Sequence, residues 1–224
     1  MISLRDSSEA IGVLDLQGGI QEHLEHLDRL GVKACAVKDP ADLAGVAGLI
    51  IPGGESTCLS RLIRIFEFEE PIRRAFARGM KLWGTCAGAI LLAAENVGET
   101  PFFGLIDAAI VRNAFGSQLD SFGAWASVPK VAADPIPLTF IRAPKIIRVG
   151  PDVDILLEMD DYVAAAENEG VLITVFHPEL TSCLAFHRYF ARKCGLVVAE
   201  QPPVVSSEST WTRQSWMTAK RHGE

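Results

Sequence analysis

Leu82-Trp83-Gly84-Thr85-Cys86-Ala87-Gly88 runs directly into the apolar stretch Ala89-Ile90-Leu91-Leu92-Ala93-Ala94. Met80–Trp83 reads as a short buried strand and the segment after Cys86 as a helix, so the cysteine falls on the turn between them. Glycines two residues to either side give the form G-x-nucleophile-x-G. They let neighbouring segments pass close to a strained turn. A helix N-terminus also favours the negative charge of a thiolate. This is how an α/β enzyme presents a nucleophile, and it predicts a parallel sheet with the site at the C-terminal ends of its strands.

The flanking sequence fits that fold. Ile11–Leu16 is predicted as a first strand, ended by Gln17-Gly18-Gly19. A helix follows through Ile20, Leu24, Leu27 and Leu30 and stops at Gly31. Lys33–Val37 and Gly48–Ile51 are the next strands, the second cut off by Pro52-Gly53-Gly54. Ser56 or Thr57 is the expected cap of a helix through Leu59, Leu62, Ile63 and Ile65, and Pro71 is expected to open another, ending at Gly79. Strands without polar alternation belong to a parallel sheet covered by helices on both faces, a three-layer α/β/α sandwich.

After about residue 102 the strands shorten: Leu105–Val111, Phe140–Ile141, Ile146–Val149 and Asp154–Glu158. Tyr162–Ala166 and Val171–Phe176 suggest a hairpin across Asn168-Glu169-Gly170, and Thr181–Cys194 has helical spacing. Residues 1–200 are expected to form one domain. Residues 201–224, with Pro202-Pro203 and a serine-rich stretch, are expected to be a polar tail.

At 224 residues and 49% hydrophobic composition, the chain can bury a sizeable core. A net charge of −7 without a dense Lys/Arg cluster argues against a nucleic-acid face. Apolar runs are too short to span a bilayer, and no signal segment is visible. Five cysteines without Cys-x-x-Cys spacing form neither a disulfide framework nor a zinc site, so a reduced, cytoplasmic location is expected and no metal.

Two further motifs complete the chemistry. His177 and Glu179, in Phe176-His177-Pro178-Glu179, end an apolar strand. Positions i and i+2 share a face, so the carboxylate can orient the imidazole, and the imidazole can take the Cys86 proton. Pro52-Gly53-Gly54-Glu55-Ser56-Thr57 follows a strand. Its backbone N–H groups at Gly53 and Gly54, with that of Ala87, can stabilise an anionic tetrahedral intermediate. His23, His26, His187 and His222 are read as surface histidines on helix faces or in the tail, and the other four cysteines as structural.

Read together, Leu16-Gln17-Gly18-Gly19, the Pro52–Thr57 block, Gly84–Ala89, Arg112-Asn113-Ala114-Phe115-Gly116, Asp120-Ser121-Phe122, Phe140-Ile141-Arg142-Ala143-Pro144 and Phe176–Thr181 resemble the glutaminase subunits of two-protein pyridoxal 5′-phosphate synthases. These are class I (triad-type) glutamine amidotransferases of flavodoxin-like fold. The resemblance covers roughly residues 11–195. It implies that L-glutamine is hydrolysed to glutamate and ammonia, with Cys86 as nucleophile, His177 as proton shuttle and Glu179 as its support. It also implies that glutamine is held by Gly54, Glu55, Ser56, Arg112, Ile141 and Arg142. Gln17, from the end of the first strand, is expected beside the oxyanion loop, at the interface or supporting the hole. The implied partner is a (β/α)8-barrel synthase subunit that receives the ammonia; pyridoxal 5′-phosphate is then the product of the complex and not a cofactor of this chain. Ser117 stands where the family usually has arginine, and Gly123 where it has glutamate. A subunit serving another acceptor, or a non-catalytic regulatory subunit of the same fold, are the alternatives.

Overall fold

The computed structural model describes residues 10–112 and 121–198. Five parallel strands carry the site: β1 (Ala10–Leu14), β2 (Ala34–Val37), β3 (Val46–Ile51), β4 (Lys81–Thr85) and, from much later in the chain, β12 (Val171–Thr174), in the order β2-β1-β3-β4-β12. Beyond β12 the sheet continues mainly antiparallel through β11 (Tyr162–Glu167), β9 (Lys145–Val149), β6 (Ile106–Val111) and β5 (Ala93–Asn96). β10 (Asp154–Met159) pairs with β11 outside this path. A separate two-stranded sheet joins β7 (Ser121–Ala126) to β8 (Ile136–Ile141).

The two faces of β4 show how the layers form. Trp83 is fully buried on one face, against Phe186 and Phe190 of α5 (Ala185–Lys193) and His23 of α1 (Ile20–Arg29). Its neighbour Gly84 points the other way, as strand alternation requires. A side chain there would meet the backbone of Gly88 at 2.4 Å, so α4 (Ala87–Leu92) lies directly on the sheet. α2 (Ser56–Ile65) packs beside α4. Helices thus cover both faces, the three-layer arrangement expected from the unbroken apolar strands.

Several elements differ in detail from the sequence reading. The last helix begins at Ala185 rather than Thr181, because Pro178–Leu180 forms a 3-10 turn and the intervening residues are irregular. α3 (Glu69–Ala77) starts two residues before Pro71. A proline in the first helical turn removes no intrahelical bond, since those N–H groups have no partner in any case. The cap of α2 is Glu55 and not Ser56 or Thr57: its carboxylate accepts the N–H groups of Thr57 and Cys58 at 2.9 and 2.7 Å. The stretch read as one apolar helix after Cys86 ends at Leu92, and Ala93 turns into β5. β7 lies where no strand is expected, because Gly123, Ala124 and Ala126 dilute the strand signal of Phe122 and Trp125. The hairpin across Asn168-Glu169-Gly170 is present, closed by Asn168 Oδ1 accepting from the N–H groups of Gly170 and Val171. The expected tail, residues 201–224, lies outside the described residues.

Gly88 is the tightest point of this packing: a methyl group there would sit 2.0 Å from the carbonyl oxygen of Ile51. Gly88→Ala must push α4 off β3, and it is expected to lower the melting temperature by roughly 2–12 °C, as an overpacked core of this size does. Differential scanning calorimetry measures this directly.

Candidate active site

Three strand ends meet at one place. β4 is paired with β3 through Ile51↔Gly84 and with β12 through Thr174↔Thr85, and the Cys86 N–H donates to the Thr174 carbonyl at 2.8 Å. The segments after β3, β4 and β12, carrying Gly53, Cys86 and His177, therefore leave the sheet side by side. Cys86 has φ 49° and ψ −103°, a left-handed backbone that L side chains rarely adopt. That turn aims a buried sulfur off the strand end while α4 begins at the next residue.

Gly53 reports how close the groups are. A Cβ added to it would lie 2.4 Å from Cε1 of His177 and 3.2 Å from Cβ of Cys86. The His177 ring and the cysteine thus share one small space, and only glycine fits against them. Nδ1 of His177 meets Oε1 of Glu179 at 2.7 Å, which leaves Nε2 for the cysteine sulfur. The backbone N–H of His177 donates to Thr139 on β8 at 2.8 Å, so the small β7–β8 sheet anchors the histidine.

The electrostatics follow from burial. Desolvation alone would push the His177 imidazolium towards neutrality. Its hydrogen bonds to Cys86 and Glu179, and their charges, outweigh that and raise its pKa to about 10. Burial pushes the fully enclosed Glu179 carboxyl up, but facing His23 and the hydrogen bond from His177 hold it below the usual carboxylate range. A second carboxylate-bound cation lies nearby. The Arg112 guanidinium donates to both oxygens of Glu99 at 2.6 and 2.9 Å, to Glu55 at 3.0 Å and to Thr57 at 3.2 Å. The Glu55 side chain, assigned to substrate from the sequence, is therefore committed to capping α2 and to Arg112.

The remaining sequence-derived positions fall around this centre. Gln17 lies against Gly54, whose added Cβ would be 3.2 Å from the Gln17 Cδ, and the Gln17 Oε1 is buried without a hydrogen-bond partner. Gly54 has φ +152°. Ser56 is buried in the first turn of α2, and Ala87 opens α4, so its N–H has no partner within the helix. Ile141 ends β8 two residues beyond the Thr139 contact, and Arg142 follows with φ 43°. Asn113–Gly116 and Ser117 lie outside the described residues. Gly123 is paired with Thr139, and a Cβ there would make ordinary contact only, 3.8 Å from the Leu138 carbonyl, so the backbone does not demand glycine.

Three histidines read as surface residues are buried instead: His23 and His187 fully, and His26 nearly so. His23 Nε2 lies 3.6 Å from Glu179 Oε2, and its Nδ1 is 2.8 Å from His187 Nε2. The signal was present in the spacing. Positions 23, 26, 27 and 30 form one helical stripe, and 184, 187, 191 and 194 another, so each histidine lies on the apolar face of its helix. Among the described residues, no cluster of three or more His, Cys, Asp or Glu could hold a metal ion. No helix among them is long and apolar enough to cross a membrane.

Residues 13–196 match the SNO glutamine amidotransferase family. The chain belongs to that family. It is 60% identical over 223 residues, 99% of this chain and the whole of the relative, to a protein of Syntrophus aciditrophicus named pyridoxal 5′-phosphate synthase subunit PdxT. A protein of the same name from Deinococcus radiodurans is 46% identical over 83% of this chain and 97% of its own length. Among solved structures, a crystal structure of a glutamine amidotransferase superposes with a TM-score of 0.78 at 42% identity, covering 84% of this chain and all of that one. The PurLQS structure from Thermotoga maritima, at TM-score 0.61 and 16% identity over 83% of this chain and 99% of the matched one, shares the fold. Cys86, His177 and Glu179 all fall within the residues that match the family.

The buried histidines make stability depend on pH. Burial pulls the pKa of His23 down to about 4, and it lowers those of His26 and His187 as well. Below 6.5 the unfolded chain gains protons that the folded chain refuses, so stability falls as pH drops from 6.5 towards 4. For His23 alone this is on the order of 3 kcal/mol. Urea unfolding at pH 7, 5.5 and 4.5 is expected to show a progressive loss, and an unchanged unfolding free energy would contradict the burial of these rings.

Proposed function

We propose that the chain is the glutaminase subunit of a pyridoxal 5′-phosphate synthase and works through Cys86, His177 and Glu179. The observation that carries the reading is the small shared space in which the His177 ring, bonded through Nδ1 to Glu179, faces Cys86 beside Gly53. In this reading the Cys86 proton passes to Nε2 of His177 and the sulfur attacks the side-chain carbonyl carbon of L-glutamine. The N–H groups of Gly53, Gly54 and Ala87 stabilise the oxyanion, with Gln17 packed against that loop. The C–N bond breaks as His177 gives its Nε2 proton to the leaving nitrogen, so ammonia departs and a γ-glutamyl thioester remains on Cys86. Water, deprotonated by His177, then attacks the thioester; the C–S bond breaks, the proton returns from His177 to the Cys86 sulfur, and glutamate and the free thiol are released.

Substrate recognition follows from charge. Arg112 already grips a carboxylate, that of Glu99, whose two oxygens both accept from its Nη1. The α-carboxylate of glutamine is the chemical equivalent of that group, and in this reading it takes the place of Glu99. Backbone groups of Gly54 and Glu55, with Ser56, Ile141 and Arg142, line the rest of the pocket. Ammonia passes to a (β/α)8-barrel synthase subunit in a hetero-oligomer. Residues 1–200 form the catalytic domain, 201–224 its tail, and the complex works in the cytoplasm, a reading supported by five free cysteines.

Glutamate release from glutamine, measured with and without the synthase subunit, tests this. Cys86→Ala is expected to lose at least about 10³-fold in rate, as removal of a triad nucleophile does. Arg112→Ala is expected to raise KM by roughly 10–100-fold through loss of a charge-assisted bond, with a smaller effect on kcat. Glu99→Gln is expected to lower KM severalfold, because a competing carboxylate is gone. Equal glutamate release by wild type and Cys86→Ala would end the catalytic reading.

A further inference from the structure

The second oxygen of Glu179 has no hydrogen-bond partner although it is fully buried, and the atom facing it, Nε2 of His23, has none either. A buried carboxylate oxygen left without a donor is costly. The two orphaned atoms lie 3.6 Å apart, a separation that a small side-chain movement turns into a hydrogen bond.

Proton counting then fixes the tautomers. Nδ1 of His23 and Nε2 of His187 are 2.8 Å apart, so one proton lies between them. If His23 carried it, its Nε2 would be a bare lone pair aimed at a carboxylate, and two acceptors would repel each other inside the core. If His187 Nε2 carries it, His23 Nδ1 accepts, and the His23 proton sits on Nε2, pointing at Glu179. The cost of the second arrangement is one bare lone pair on His187 Nδ1, which is buried and has no partner. An unfilled acceptor is a smaller defect than a carboxylate facing a lone pair.

Resting on the glutaminase reading above, we propose that His23 is a positioning residue: in its Nε2–H form, set by His187, it is the second donor to Glu179 and holds that carboxylate ionised and oriented for His177. His23 stays neutral, consistent with its depressed pKa, and acts as a directed N–H dipole. A neutral donor suits the site, because a buried cation beside Glu179 would compete with His177 for the same charge. The titratable and charged groups around Glu179 are Glu22, His23, His26 and Arg29 of α1, His187 of α5, and His177, with Cys86 beyond it from the turn between β4 and α4. The two nitrogens of His26 face the carbonyls of Glu22 and Thr181, each at 2.9 Å, and not Glu179, which leaves His23 as the donor in reach.

The test is the pH profile of kcat for glutamate release in the complex with the synthase subunit, for wild type, His23→Leu, His23→Gln and Cys86→Ala. Glutamine carries a donor and an acceptor at about the spacing of the two ring nitrogens, and leucine carries neither. His23→Leu is expected to lose about 10–100-fold in kcat with KM nearly unchanged, and its acid limb should move up by about one pH unit because the Glu179 carboxylate has lost a donor. His23→Gln should recover most of both. A wild-type kcat and acid limb in His23→Leu, with Cys86→Ala inactive, would overturn the role of His23 and leave the glutaminase reading standing. Activity in Cys86→Ala would overturn both. Equal losses in the leucine and glutamine variants with an unmoved acid limb would reduce His23 to a packing residue. Should His23→Leu fail to fold, ¹⁵N-histidine spectra of the wild-type protein decide the matter: a His23 ring protonated on Nε2 supports the proposal, and one protonated on Nδ1 overturns it.

Discussion

Strand β4 is hydrogen-bonded on both sides to parallel partners, and the site depends on that double pairing. Its register with β3 places Gly53 on one side of Cys86, and its register with β12 places His177 on the other. Residues 53, 86 and 177 are far apart along the chain, yet parallel pairing requires the segments after the three strands to emerge at one edge. A slip of one residue in either pairing would turn the Cys86 turn towards the opposite layer, since side chains alternate faces. The glycines hold this register by contact: Gly84 against Gly88, and Gly88 against the carbonyl of Ile51.

Behind the sulfur lies a chain of polar groups with almost no solvent around it. Cys86, His177, Glu179, His23 and His187 run from the cleft into the layer between the sheet and helices α1 and α5, where Trp83 closes against both histidine rings. In such a setting each hydrogen bond is strengthened and each missing one is expensive. The fold accepts two neutral buried histidines, His23 and His187, beside a buried carboxylate, and this selects one proton arrangement for the row. The same arrangement keeps the proton on the His177 imidazole that faces the cysteine. Stability and chemistry thus draw on one set of contacts.

Much of this was legible in the sequence because the informative residues have no other common use. A cysteine two residues from glycines on both sides, at the join of an apolar strand and a helix, predicts both the parallel sheet and the tight turn on which that cysteine sits. A histidine and glutamate two apart predict their contact, and the 2.7 Å separation matches it. The strand ends at Thr174, however, and it is the 3-10 turn Pro178–Leu180, not a shared strand face, that brings Glu179 back to the His177 ring. What could not be read was set by contacts distant in sequence. The capping role of Glu55 depends on its reaching back over α2, and the Glu99–Arg112 pair joins two loops without a shared motif. The β7 strand is completed by its pairing with β8, which extends Gly123 and Ala124 where the local sequence alone does not. His23 and His187 were misplaced for a different reason: histidine is mostly found at surfaces, and that tendency outweighed a helical stripe which placed both on the buried face.

Labelling with an electrophilic glutamine analogue, followed by peptide mass mapping, tests the central claim most directly. A single adduct on Cys86 that disappears in His177→Ala is the result this account predicts, with Cys35, Cys58, Cys183 and Cys194 left unmodified. Labelling of those cysteines in place of Cys86, or labelling of Cys86 that is indifferent to His177, would contradict it.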